Sequence, residues 1–152
     1  MKPSPNCIDL IKKFEGCRLE AYKDVAGIWT IGYGTIMYPD GKKVKEGEVT
    51  DLRRAEAFLT WEVELKSQGI DKLLTPVILT QNQFDSLVSF AYNAGINAFK
   101  GSTLLKKVRN NPQDPTIRDA FMAWNKARVK GVLQEIKGLT LRRKAESDLY
   151  FT

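Results

Sequence analysis

Apolar side chains recur at helical spacing through most of this chain, and at alternating spacing in one stretch near its start. Ile8, Ile11 and Phe14 fall on one face of a helix. Ser4 can cap it with Pro5 at its first position, and Gly16 ends it, which places Glu15 in the last turn. The period then changes. Leu19 to Tyr22 reads as a short strand, Lys23 to Gly27 as its turn, and Ile28 to Tyr33 as the returning strand. Trp29, Ile31 and Tyr33 share one face of that strand, and Thr30 lies on the other with Ile28 and Gly32. Gly32 and Gly34 leave room for a close backbone or ligand approach. Asp40-Gly41 predicts a second hairpin turn with Val44 in the strand beyond, so residues 18–48 are expected to form a small antiparallel sheet.

Helical spacing resumes at Thr50, the expected cap of a long helix reaching about Lys66. Leu52, Ala55, Leu59 and Val63 mark its inner face, with Phe58 beside them, and Gly69 and Pro76 interrupt the pattern after Lys66. Thr80 to Gln83 has the form of a capping box. It precedes a helix with Phe84, Leu87, Val88 and Ala91 on one face and Gly95 at its end. Ser102-Thr103 opens a short helix through Leu104, Leu105 and Val108, broken by Asn110-Asn111-Pro112. A further helix carries Ile117, Ala120, Phe121 and Trp124, and a last one, starting near Leu139, carries Leu141, Ala145 and Leu149. The expectation is an α+β fold, mainly helical, in one domain over residues 1–152. Its small lobe would span 14–50 and its linking helix 51–68. The larger helical lobe would combine 69–152 with the first helix, 5–15.

Composition agrees with a folded globular chain: 152 residues, 43% apolar and 28% charged. No run of about 18 apolar residues exists to span a membrane. The first residues lack the apolar core of a secretory signal, so the chain is expected to be made in a cytoplasm and not exported by its own sequence. Cys7 and Cys17, if on one helix, would stand ~15 Å apart along its axis, too far for a disulfide. There is no histidine, which excludes Ser-His and Cys-His nucleophile pairs and most zinc sites. Acid and base would have to be carboxylates, Lys, Tyr or Cys. The net charge of +6 is uneven: residues 100–152 carry twelve basic and five acidic side chains. A basic surface of that kind favours a polyanion such as nucleic acid, an anionic membrane or an acidic wall polymer.

The stretch from Phe14 to Gly34 concentrates the candidate chemistry. Eight residues separate Glu15 from Asp24, and five separate Asp24 from Thr30. Glu15 would sit at a helix end, Asp24 at a hairpin turn and Thr30 on the returning strand. A carboxylate at a helix C-terminus lies in an unfavourable dipole field, so it needs a cationic partner or holds its proton more tightly. Two carboxylates in unlike environments are what glycosidic cleavage uses, one to protonate the leaving oxygen and one to stay ionised. Surface carboxylates and an ordinary strand threonine would give the same spacing.

The surrounding string narrows the choice. Phe14-Glu15-Gly16, Leu19, Ala21-Tyr22, Asp24, Gly27 and Thr30-Ile31-Gly32-Tyr33-Gly34 together resemble the opening motif of the T4-type phage lysozymes, the family 24 glycoside hydrolases. Further similarity runs through Gln83-Phe84-Asp85, Leu87-Val88-Ser89-Phe90, Asn93 to Gly95 and Ser102 to Leu105. It continues through Phe121 with Trp124, then Gly138-Leu139, Arg142-Arg143 and Glu146, and so covers roughly residues 6–151. The resemblance implies a lysozyme-like fold and a muramidase that cuts the β-1,4 bond between N-acetylmuramic acid and N-acetylglucosamine in bacterial peptidoglycan, without a cofactor or metal. It implies Glu15 as general acid, Asp24 as the group that positions water, Thr30 as its helper, and an arginine partner for Glu15 that is either Arg142 or Arg143. It also implies an inverting reaction, with carboxyl groups ~6.5–9.5 Å apart. Many relatives have histidine after the Gly-Tyr-Gly turn, where this chain has Thr35. Other relatives carry an N-terminal membrane anchor. This chain resembles the kind that waits in the host cytoplasm for a holin pore.

Two other readings stand beside this one. A basic helical protein could bind nucleic acid through residues 100–152, but no nucleic-acid-binding signature is present and Phe14 to Gly34 would go unexplained. A catalytically silent wall-binding relative would not need Glu15, Asp24 and Thr30. The expectation is a monomeric endolysin acting on peptidoglycan, with no nucleic-acid partner. Lys126, Arg128, Lys130 and Lys137 would assist docking on an anionic wall or outer membrane. Phe99, Trp124 and Tyr92 read as core residues rather than sugar platforms.

Overall fold

The computed structural model describes residues 1–152. In order it contains α1 (Pro5–Glu15), β1 (Arg18–Lys23), β2 (Trp29–Gly32), α2 (Leu52–Leu74), α3 (Gln81–Ala94), α4 (Ile96–Lys100), α5 (Thr103–Asn110), α6 (Ile117–Met122), β3 (Lys126–Val129), β4 (Val132–Glu135) and α7 (Lys137–Tyr150). The α+β, mainly helical expectation holds, and the local start signals account for three of the seven helix beginnings, those of α1, α3 and α5. The Ser4 hydroxyl accepts from Asn6 N at 3.2 Å and caps α1. It also donates to Asp85, whose Oδ1 takes the Ser4 N–H at 3.0 Å, so the cap ties α1 to α3. Thr80 and Gln83 close both halves of the capping box of α3, at 2.9 and 3.1 Å. Ser102 caps α5 through Leu105 N at 3.0 Å.

The small sheet is an antiparallel pair, β1 against β2, with Tyr22 opposite Thr30 and Lys23 opposite Trp29. The second hairpin is reduced to a turn at Asp40-Gly41 and one bridge, Met37 to Lys43. Val44 is buried but belongs to no strand. Gly32 seats β2 on α2. Its φ of +64° suits glycine, and a Cβ there would lie 3.1 Å from Ala55 Cβ, so backbone meets helix with no side chain between.

Three expectations about α2 are corrected. Leu52 is 60% exposed and lies off the inner face marked by Ala55, Leu59 and Val63. Asp51, not Thr50, is the cap, its carboxylate accepting from Arg54 N at 2.8 Å, while the Thr50 hydroxyl is buried without a partner. The helix also runs past Lys66 and Gly69 to Leu74, about 35 Å in all. Glycine costs a helix interior about 1 kcal/mol. Burial of Ser67, Ile70 and Leu74 around it outweighs that, and Ile96 of α4 packs over the space left at Gly69.

α3 is the helix around which the others pack, against α1, α2, α4 and α7, and every residue from Gln83 to Ala91 is buried. Phe90 is its centre, with the rings of Phe99, Phe121 and Trp124 at 6.0, 5.9 and 5.6 Å. α6 ends at Met122, so Trp124 lies beyond the helix expected to carry it. The β3–β4 hairpin was not expected. It turns through Lys130 and Gly131, both at positive φ, and places Lys126 opposite Glu135. The basic side chains Lys126, Arg128 and Lys130 thus stand on an exposed hairpin, not on a helix. α7 turns a charged face inward. Arg142, Arg143, Glu146, Ser147 and Tyr150 are buried, whereas Leu141 is 51% exposed.

Candidate active site

Glu15 is the last residue of α1, and Gly16 turns the chain away behind it with a φ of +68°. Its carboxylate therefore faces the end of the helix, where a cation is needed. Arg142 of α7 supplies one. Arg142 Nη1 donates to Glu15 Oε1 at 2.8 Å, with the arginine side chain 4% exposed and the glutamate 24%. The other carboxylate oxygen lies toward Gly34, where a Cβ would come within 3.8 Å of Glu15 Oε2. A φ of +91° at Gly34 turns the chain beside the glutamate with no side chain in the way.

Arg142 is itself held on two further sides. Its Nε donates to Glu146 Oε2 at 3.2 Å and its Nη2 to the carbonyl of Ser89 at 3.2 Å. The Ser89 hydroxyl donates to the same Glu146 oxygen at 2.6 Å. Arg143 faces the other oxygen, Oε1, at 3.1 Å as an ion contact outside hydrogen-bond geometry. It donates to Asn93 and lies 4.8 Å from the Phe90 ring centre. Burial pushes the Glu146 carboxyl up from its ordinary range, opposed by Arg143, Arg142 and the Ser89 hydroxyl. Burial likewise pulls the Arg143 guanidinium down, opposed by Glu146.

Asp24 is built differently. Its Oδ1 accepts from the backbone N–H groups of Ala26 and Ile28, at 2.8 and 2.9 Å, which closes the hairpin turn. Thr30, 3% exposed, donates through Oγ1 to the carbonyl of Ile28 at 2.9 Å. Residue 28 thus anchors both side chains through its two peptide groups. The hydroxyl oxygen of Thr30 keeps its lone pairs for another donor. Thr35, next after the glycine turn, is 2% exposed. It exchanges backbone hydrogen bonds with Ile31 at 2.9 Å, and its hydroxyl is buried without a partner.

Of the residues singled out in the sequence, Glu15 and Arg142 are in contact. Asp24 and Thr30 are joined through Ile28, and Arg143 lies behind Glu146, away from Glu15. Glu146 and Ser89 carry structural weight that sequence reasoning did not assign. The signal for Glu146 was its position three and four residues after Arg143 and Arg142, on the same helix face. Tyr92 is more than a core residue. Its hydroxyl donates to Glu62 Oε2 at 3.2 Å, and burial, then the charges of Glu62 and Glu15, push its phenol up. No group of three or more His, Cys, Asp or Glu side chains converges as a metal site would require.

The chain matches the family model described as phage lysozyme over residues 12–146. It is 39% identical over 141 residues to an endolysin of Acyrthosiphon pisum secondary endosymbiont phage 1, covering 93% of this chain and 92% of that protein. It is 42% identical over 147 residues to an endolysin of Bacillus phage B103, covering 95% of this chain and 52% of that protein, about half the relative's length. The solved endolysin from Escherichia coli O157:H7 phage FAHEc1 superposes with a TM-score of 0.90 at 44% identity, covering 99% of this chain and 93% of that one.

Proposed function

The chain belongs to the phage lysozyme family, and from that premise we propose how its residues open the bacterial wall. It is a peptidoglycan-hydrolysing endolysin of the muramidase type. Glu15 donates a proton to the glycosidic oxygen between N-acetylmuramic acid and N-acetylglucosamine, and the sugar left behind develops oxocarbenium character. Asp24 orients and activates the attacking water on the opposite face of the ring, and Thr30 helps to hold that water. An in-line attack of this kind inverts the anomeric centre and needs room for one water between the carboxyl groups.

The observation that carries this reading is the contrast between the two carboxylates. Glu15 is fixed by a buried guanidinium at a helix end, whereas Asp24 is fixed by backbone N–H groups in a hairpin turn. Two carboxylates with unlike anchors suit the two unlike tasks of the reaction, proton donation to the leaving oxygen and orientation of the water. In the same reading residues 1–152 form one lysozyme-like domain whose cleft lies between the hairpin lobe and the helical lobe. The enzyme acts as a monomer without a cofactor. It is made in the host cytoplasm and reaches the wall through a holin pore.

Product analysis tests the reaction type. Hydrolysis adds the mass of one water to each cut and leaves reducing ends that, when trapped early, have inverted configuration. Fragments ending in an anhydro sugar would contradict the proposed water attack.

A further inference from the structure

Glu146 and Ser89 stand one bond behind Arg142, and their arrangement is that of a support for it. Both are fully buried, and the hydroxyl of one is bonded to the carboxylate of the other at 2.6 Å. Residue 89 holds the guanidinium twice, directly through its carbonyl at Nη2 and indirectly through its hydroxyl, which fixes the Glu146 oxygen that receives Nε. A guanidinium is a planar fork, so fixing Nε and Nη2 also fixes the direction of Nη1. Nη1 is the nitrogen bonded to Glu15. Charges alternate along the row from Glu15 through Arg142 and Glu146 to Arg143, so Glu146 also separates two cations that would otherwise repel.

We propose that Glu146 and Ser89 are positioning residues for the hydrolytic reaction: they hold Arg142 in the one orientation in which Nη1 fixes the Glu15 carboxyl against the scissile bond. This rests on the reading of Glu15 as proton donor. If the same residues served only to join α7 to α3, their loss would lower the amount of folded enzyme and leave each folded molecule as active as before. Positioning instead changes the rate of the folded molecule.

Glu146→Gln and Ser89→Ala separate the two. Each is assayed on soluble peptidoglycan fragments well below its unfolding temperature, with the folded fraction set by near-UV circular dichroism. Positioning predicts that Glu146→Gln lowers kcat per folded molecule by about 10–100-fold with KM nearly unchanged, the usual range for a group that orients a reacting residue's partner. Ser89→Ala lowers it less, by about 3–10-fold. Ser86→Ala is the control. It removes another buried hydroxyl of α3, bonded to Gln83 O at 2.8 Å and outside the cluster, and keeps wild-type kcat. Wild-type kcat per folded molecule in Glu146→Gln, or a change confined to KM, would overturn the proposal. If that variant does not fold, Ser89→Ala decides by the same criterion. Full activity in Glu15→Gln would instead sink the reading of Glu15 itself, which keeps the two failures apart.

Discussion

Replacing Arg142 by methionine asks where the stability of the α7–α3 contact resides. The side chain makes three bonds, to Glu15, to Glu146 and to the Ser89 carbonyl. They are not equal. Glu15 is 24% exposed, so water takes over part of what Arg142 gives it, and a partly solvated pair of this kind is worth about 1 kcal/mol or less. Glu146 is wholly buried and has no water to turn to. Without Arg142 it keeps only the Ser89 hydroxyl and the poorly aligned Arg143. Removing one partner of a buried pair destabilises by about 3–5 kcal/mol, because the remaining charge is stranded. For a chain of this size that lowers Tm by roughly 6–20 °C. Urea unfolding followed by circular dichroism measures it directly, with an unchanged slope as the check on two-state behaviour. Glu15→Gln, in the same assay, should cost less than about 1 kcal/mol. Equal losses in the two variants would mean that the exposed pair carries the energy, and would refute the division made here. A loss below about 1 kcal/mol in Arg142→Met would refute it from the other side.

Thr35→Val removes a buried hydroxyl that has no partner while keeping the side-chain shape, so Tm should rise by about 2–4 °C, equivalent to about 1 kcal/mol, in differential scanning calorimetry. A fall in Tm would show that the hydroxyl is satisfied in solution. The exposed cations Lys126, Arg128, Lys130 and Lys137 are proposed to draw the enzyme to an anionic wall or outer membrane surface. Reversing their charges should slow lysis of whole cells most at low ionic strength, where attraction is least screened. Unchanged lysis across a salt series would remove that role.

Local signals made much of this fold readable in advance. Ser4-Pro5, Thr80 with Gln83, and Ser102 act within a few residues of the helix starts they mark, and each does so in the structure. Thr50 failed because Asp51, one residue on, competes for the same cap and its carboxylate wins. The end of α2 was hidden because burial of Ile70 and Leu74, a tertiary effect, carries the helix past Gly69. The β3–β4 hairpin is hard to read in advance because its Lys130-Gly131 turn is a weaker signal than Asn-Gly. On α7 the helical spacing picks out Leu141, Ala145 and Leu149, although Arg142, Arg143 and Glu146 are the residues that face inward. What buries them is their mutual pairing and the contact with Glu15, 127 residues away in sequence. Two adjacent arginines cannot be told apart without knowing which side of the helix meets α1.

Glu15 as proton donor is tested most directly by the rate of turbidity loss of chloroform-permeabilised bacteria with folded Glu15→Gln enzyme. The amide cannot give up a proton to the leaving oxygen, and general acid catalysis contributes about 10²–10⁴-fold. The expected result is a loss of at least about 100-fold, with the far-UV circular dichroism spectrum unchanged. Near-normal lysis by a correctly folded Glu15→Gln protein would contradict the account.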